Sequence, residues 1–361
     1  MTQRTVRLHS PGDLRVDQVE TPSLWPGGVR VDVSFCGICG SDLHEYELGP
    51  VPIRAEDTDH RIPESSWSEW LPKPMGHEIA GTVSEVGEDV ADVSVGDRVT
   101  LALVVPCGEC RYCEEAAYHL CERTSGTAVG SPGFADTIVV PEETVVPVPD
   151  RVSLRHAALT EPLAVSLHGV RRSGLGAGDT VAVFGAGPIG LGLVACARLA
   201  GAREIHVSEP RAARREAARE LGADAVYDPA SVDARDRIVA ATDRVDVGFE
   251  CAGIGATLTD ALRATKYGGT TVVLSVFEEE AEIHPNDVMQ AERDLVGSFA
   301  FRGGPVADRG EFPAVLSMMA DGRLDPEPLV SGELPLQRVT EGFERLADPD
   351  SDAIKLLVRP E

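Results

Sequence analysis

The sequence predicts an α/β protein of two lobes: a doubly wound parallel sheet in the middle of the chain and a mostly β lobe built from its two ends. Three observations predict this. Between about 153 and 299, short apolar runs alternate with helical patterns. At the first run-to-helix junction stands Gly185-Ala186-Gly187-Pro188-Ile189-Gly190, a G-x-G-x-x-G turn. Residues 1–150 read instead as short strands punctuated by Gly, Pro and Asp. A chain of 361 residues is long enough for two such domains.

The early strands are expected at 29–35, 79–87 and 97–105, where apolar residues alternate or run together. Segment 45–75 lacks a regular period, and a connection of that length is usually functional or disordered. Trp67 and Trp70 within it argue for packing. From 180 the order is strand 180–185, helix 188–201 ended by Gly201, strand 204–209, helix 211–223, then strands 245–253 and 269–276. Strand and helix taken in turn predict βαβ units. The expected domains are 1–152, rejoined by 300–361, and 153–299.

The glycine turn follows a predicted strand and opens a predicted helix, the setting in which this motif holds a dinucleotide. Gly185 would make the tight turn, Gly187 would admit a pyrophosphate, and Gly190 would let the helix pack on the strand. The pyrophosphate would rest on the N-terminal end of helix 188–201, where free N–H groups and the dipole favour anions. Glu209 ends the next strand, where a carboxylate accepts hydrogen bonds from a ribose 2′-OH and repels a 2′-phosphate. NAD is therefore expected over NADP, with Arg211 close enough to soften the preference.

Cys107, Cys110, Cys113 and Cys121 follow the spacing C-x2-C-x2-C-x7-C. Four thiolates so close can enclose one tetrahedral Zn²⁺ with no open position, a structural site. Two disulfides would need an oxidising compartment, to which nothing in the chain points. Upstream lie Cys36, Cys39, Ser41, Asp42 and His44, then His77 and Glu78. Cys, His and Glu are the ligand types of an open, catalytic Zn²⁺ site. Singly, each reads as easily as a buried thiol or a core histidine.

Together these motifs, with ALTEPLAVSLHGV (158–170) and ECAG (250–253), make the sequence resemble the zinc-dependent medium-chain alcohol and polyol dehydrogenases over essentially its whole length. The resemblance runs closest to the 2,3-butanediol and sorbitol dehydrogenase branch. It implies a GroES-like catalytic lobe beside the Rossmann sheet, and two Zn²⁺ per chain. It implies Cys39, His77, Glu78 and Glu161 around the catalytic zinc, and the four-cysteine loop around the structural one. Ser41 and His44 would relay the proton, with Asp42 steadying a ligand imidazole. Glu78 and Glu161 remain alternatives as the third direct ligand. Cys36, Cys196 and Cys251 would be packing residues. The implied reaction is hydride transfer between a secondary alcohol or vicinal diol and NAD; a polyol or sugar is the alternative substrate. A non-catalytic NAD(P)-binding relative would typically have lost zinc ligands, and every candidate is present. The resemblance also implies a homodimer or homotetramer, with strand 269–276 as a candidate pairing edge. Substrate choice is expected to rest on 45–75 and on Ser298, Phe299, Ala300, Phe301 and Arg302.

Charge narrows the partners. Acidic residues number 59 against 33 basic ones, a formal net charge of −26. Only Lys73, Lys266 and Lys355 are lysines. Such a surface repels nucleic acid and anionic membranes, which argues against a zinc-ribbon nucleic-acid binder. An acidic excess with almost no lysine resembles proteins of salt-loving organisms, where molar salt screens self-repulsion. No apolar run is long enough for a membrane span, and no secretory signal is visible at Met1, so a cytoplasmic enzyme is expected.

Overall fold

The structure, a computed structural model, describes residues 1–50, 62–124 and 132–360. The central part of segment 45–75 lies outside the described residues. Two compact units form: Met1–Glu161 with Arg302–Gly322 and Val330–Glu361, and Pro162–Phe301 with Arg323–Leu329.

The second unit is a six-stranded parallel sheet. Its strands lie side by side in the order Ala225–Tyr227, Glu204–Ser208, Thr180–Phe184, Val245–Glu250, Thr265–Val273, Asp294–Gly297. Numbered along the chain this is 3-2-1-4-5-6, the doubly wound order. Thr180–Phe184 is buried at every residue, as a central parallel strand covered on both faces must be. Helix Pro188–Ala200 follows it and stops at Gly201, whose φ of 99° closes the helix.

One expectation needs correction. Strand 269–276 is not an edge: Thr265–Val273 lies inside the sheet, and Asp294–Gly297 forms the border. That border strand has only four residues, three of them exposed, so it shows no apolar alternation that a sequence reading could detect.

The first unit is mostly antiparallel. A seven-stranded sheet places Gly28–Gly37 between Glu78–Val86 and Lys355–Arg359. A smaller sheet joins Thr2–Ser10 to Asp13–Glu20 and Lys73–Pro74. Its core gathers the inward faces of these strands, including Val29, Val31, Ile79, Val99 and Leu101, with Phe134, Phe343 and Leu356 closing over them. Among the described residues, no helix is long and apolar enough to cross a membrane.

Candidate active site

Strand register builds this site. Gly37 lies opposite Glu78 on one side and opposite Leu357 on the other. Cys39 follows that strand and caps helix Gly40–Leu48; His77 immediately precedes Glu78–Val86. The metal-ligating atoms of Cys39, His77 and Glu78 all lie within 4.8 Å of one another. Glycine at 37 is required by space: a Cβ there would sit 1.9 Å from Glu78 Oε2.

Glu78 is fully buried, and its Oε1 accepts a hydrogen bond from Lys355 Nζ at 2.6 Å. Lys355 is buried too, and also donates to the Ile38 carbonyl at 2.8 Å. Glu78 Oε2 has no hydrogen-bond partner. His77 is buried with Nδ1 3.5 Å from Asp42 Oδ1, beyond a good hydrogen bond. Asp42 Oδ2 accepts from the Cys39 backbone N–H at 2.9 Å, so one carboxylate steadies both neighbours. Burial opposes charge on His77, but Asp42 and Cys39 outweigh it and hold the imidazole pKa well above its usual value. Burial likewise pushes Asp42 up, and His77 with the Cys39 N–H brings it below the usual range.

A buried carboxylate oxygen without a donor, beside an imidazole and a thiol, lacks what a cation supplies. The donor set fits Zn²⁺. Glu161 opens helix Thr160–Ser173 outside the trio. Burial raises its pKa to about 7; His77 lowers it and Glu78 raises it further. Ser41 Oγ stands 3.5 Å from His77 Nε2, and His44 is one helical turn further along Gly40–Leu48. Cys36 is buried, its thiol pushed up by burial first of all.

The four-cysteine loop stands apart from this trio. Cys110 Sγ is 3.5 Å from Cys113 Sγ and 3.9 Å from Cys121 Sγ, while Cys107 and Cys113 are 4.0 Å apart. A disulfide would need about 2.05 Å, whereas tetrahedral thiolates around zinc sit about 3.8 Å apart, given Zn–S bonds near 2.3 Å. The loop therefore fits a closed zinc site.

In the second unit, Gly185 takes φ 96° where the turn leaves strand Thr180–Phe184. A Cβ on Gly190 would lie 2.0 Å from the Gly185 carbonyl, so only glycine lets the helix approach. Gly187 caps the helix ahead of Pro188 and Ile189; the nearest atom to a Cβ there is Arg214 Nη1, at 4.0 Å. Glu209 is buried, accepting from Ala186 N–H at 2.7 Å and Arg211 N–H at 2.9 Å. Arg214 was not distinguishable in the sequence from the other arginines of its amphipathic helix. Its buried Nε has no partner, and burial lowers its pKa. That leaves a cation with spare donor capacity beside the turn. Lys355 also escaped sequence reasoning, because nothing local links it to Glu78.

Two family models match the chain: an alcohol dehydrogenase GroES-like domain over residues 25–150, and a zinc-binding dehydrogenase over 188–321. The chain is 39 % identical to the (R,R)-butanediol dehydrogenase of Bacillus subtilis over 364 residues, covering 99 % of each. It is 30 % identical to the sorbitol dehydrogenase of the same organism, covering 98 % of this chain and 96 % of that one. A solved structure from Sinorhizobium meliloti, described as a zinc-binding dehydrogenase bound to NADP, superposes with TM-score 0.87 at 32 % identity, covering all of both chains. The chain belongs to the zinc-dependent medium-chain alcohol and polyol dehydrogenases. Within that family it is a secondary alcohol or diol dehydrogenase, working with zinc and a nicotinamide cofactor.

Proposed function

We propose that the enzyme oxidises a small vicinal diol, with 2,3-butanediol as the best single candidate, and reduces the corresponding acetoin-type hydroxyketone in reverse, using NAD. One observation carries this reading: the trio of half-buried Cys39 with buried His77 and Glu78, whose carboxylate has an unpartnered oxygen, lies in a chain similar throughout to a butanediol dehydrogenase. Two zinc ions per chain belong to it. Cys39, His77 and Glu78, with Glu161 as the adjoining acid, would hold one; Cys107, Cys110, Cys113 and Cys121 would hold the other. The first supplies Lewis acidity, which lowers the pKa of a hydroxyl group.

The chain's own side chains handle the proton. Ser41, 3.5 Å from the His77 ring, accepts it from the substrate hydroxyl, and His44 on the same helix face passes it to solvent. A bound nicotinamide would supply the acceptor for the carbon-bound hydrogen as hydride, so that the alcohol becomes a ketone. Gly185, Gly187, Pro188, Ile189 and Gly190 would hold the dinucleotide, with Glu209 at the adenosine ribose favouring NAD. Arg211 and Arg214 would soften that preference. The same reading makes this a cytoplasmic homodimer or homotetramer, which light scattering of the intact protein tests.

The decisive experiment is the initial rate of NAD⁺ and NADP⁺ reduction in molar KCl with zinc present. Substrates would be (R,R)- and meso-2,3-butanediol, sorbitol, xylitol and glucose. A clear preference for a butanediol with NAD⁺ is expected. Turnover of sorbitol, xylitol or glucose alone would overturn the diol assignment in favour of the polyol reading, which the likeness to a sorbitol dehydrogenase supports.

A further inference from the structure

At the amino-terminal ends of strands Val245–Glu250 and Thr265–Val273, the parallel-sheet unit contains a cavity of about 440 Å³. The glycine turn lies at the other end of this sheet, after the carboxyl end of Thr180–Phe184. The cavity lining includes four arginines, Arg235, Arg244, Arg263 and Arg293, against two aspartates. In a chain of net charge −26, that local excess of positive charge runs against the whole surface.

Two of the arginines are committed. Arg235 pairs with Asp236 at 2.9 Å, Asp233 at 3.2 Å and Asp260 at 3.3 Å. Arg263 pairs with Asp287 at 2.9 Å. The other two have no carboxylate within ion-pair distance among the described residues. Arg293 is buried and donates only to carbonyls, to Thr265 at 2.8 Å and to Asp287 at 2.6 Å. Arg244 donates to the Arg263 carbonyl. Both guanidiniums lie over the exposed Tyr267 ring, 6.0 Å and 5.4 Å from its centroid. Arg244 is also held at φ 80°, just after Asp243 at φ 54°. Asp243 there is the left-handed cap that ends helix Ala234–Thr242, so the strain falls on Arg244, and strain of this kind tends to mark functional sites.

Two cations brought together with no carboxylate in direct contact, facing a cavity whose Asp236 and Asp287 are engaged by Arg235 and Arg263, define an anion site. We propose that this cavity binds a phosphate-class oxyanion, gripped by Arg244 and Arg293, at a second site remote from the glycine turn. The cavity is larger than a bare ion and has room for phosphate either free or on an organic ester. The guanidinium chemistry is the same for both.

Isothermal titration tests this on the zinc-loaded protein saturated with NADH, so that the dinucleotide site is already filled. Inorganic phosphate and ribose 5-phosphate would be the two probes, at low chloride. Saturable binding of one equivalent per chain is expected. The tighter probe identifies the source. In Arg244→Gln the Kd should rise about tenfold or more, as loss of one charge-assisted contact implies, with diol turnover unchanged. Arg244→Lys, which keeps the charge but loses the fork, should fall between the two and guards against a folding failure in the first variant. Absence of binding by wild type would overturn the proposal, including the case where an acidic side chain of a second copy fills the cavity. So would a Kd unchanged in Arg244→Gln.

Discussion

The two metal-type clusters of the first unit are built in opposite ways. Cys107, Cys110, Cys113 and Cys121 come from one short stretch, and their sulfurs meet because the loop coils on itself. Cys39, His77, Glu78 and Lys355 come from three regions of the chain and meet because two antiparallel ladders share strand Gly28–Gly37. The first cluster offers four thiols and no imidazole or carboxylate among them. The second has a thiol, an imidazole, a carboxylate, a counter-ion and a supporting aspartate. Local spacing suffices to bring four thiols to zinc-binding distance of one another. A site that must tune charge draws on distant segments, because the tuning groups cannot all be sequence neighbours.

The sharpest way to break the comparison is to remove one ligand from each cluster. Cys39→Ala should lower kcat/KM about 10³-fold or more, since several kcal/mol of transition-state stabilisation depends on the metal it would help hold. Its melting temperature should change little. Cys110→Ser should do the reverse, lowering the melting temperature while leaving kcat per folded molecule within a few-fold of wild type. If Cys110→Ser abolished turnover in protein still folded by circular dichroism, the division of roles would fail.

Lys355 comes next. Removing one partner of a buried ion pair leaves the other charge uncompensated, so Lys355→Met should destabilise the protein by about 3–5 kcal/mol. Adding Glu78→Gln to that variant should restore much of the loss, because neither position of the pair then carries an uncompensated charge. Chemical denaturation of both single variants and the double variant measures the coupling. Additive losses would mean that the 2.6 Å contact between Lys355 and Glu78 carries no such energy.

These contacts also show what the sequence makes legible. The doubly wound order follows from strand–helix alternation, and the glycine turn from a motif that needs glycine at fixed positions: Gly190 for close approach, Gly185 for its φ of 96°. Both signals are local. Lys355 carries no local signal, since it sits in an ordinary apolar strand, KLLVR, and meets Glu78 only through register. Gly37 is similar: its neighbours do not demand glycine, but a carboxylate across the ladder does. The short border strand Asp294–Gly297 lacks periodicity for the same reason, since pairing to Thr265–Val273 rather than its own pattern makes it a strand.

Thiol chemistry sharpens the contrast at a smaller scale. In the four-cysteine loop without metal, hydrogen bonds from the backbone N–H groups of Glu122 and Cys113 help bring the Cys110 thiol down to about 6. Burial pushes Cys196, on helix Pro188–Ala200, up to about 12. A lowered thiol pKa means that thiolate dominates above that value. Cys110 alkylation in chelator-treated protein should therefore level off above neutral pH, while Cys196 stays almost wholly protonated. Allowing for the weaker nucleophilicity of a low-pKa thiolate, Cys110 should react about a hundredfold faster at pH 7. Peptide mapping after brief iodoacetamide treatment reads the ratio. Equal labelling would remove the distinction between a ligand loop and a packed helix.

Asp42 gives the finest test, because it touches the candidate ligands without belonging to the trio. Its Oδ2 accepts from the Cys39 N–H at 2.9 Å, and its Oδ1 lies 3.5 Å from His77 Nδ1. Such partners orient a ligand ring and strengthen its donor nitrogen, and losing one typically costs about 10–100-fold in metal affinity or activity. Asp42→Asn keeps the shape and a carbonyl oxygen but removes the charge that raises the His77 pKa. Zinc affinity by competition with a chelator should weaken within that range, and Asp42→Glu should recover part of it. The pH dependence separates an electrostatic role from a steric one. A neutral partner lowers the His77 pKa, so protons compete less with metal at the ring, and the acid limb of zinc binding should move to lower pH even as affinity at neutral pH falls. A loss of affinity with no movement of that limb would mean that Asp42 only positions the Cys39 backbone and does not act on His77.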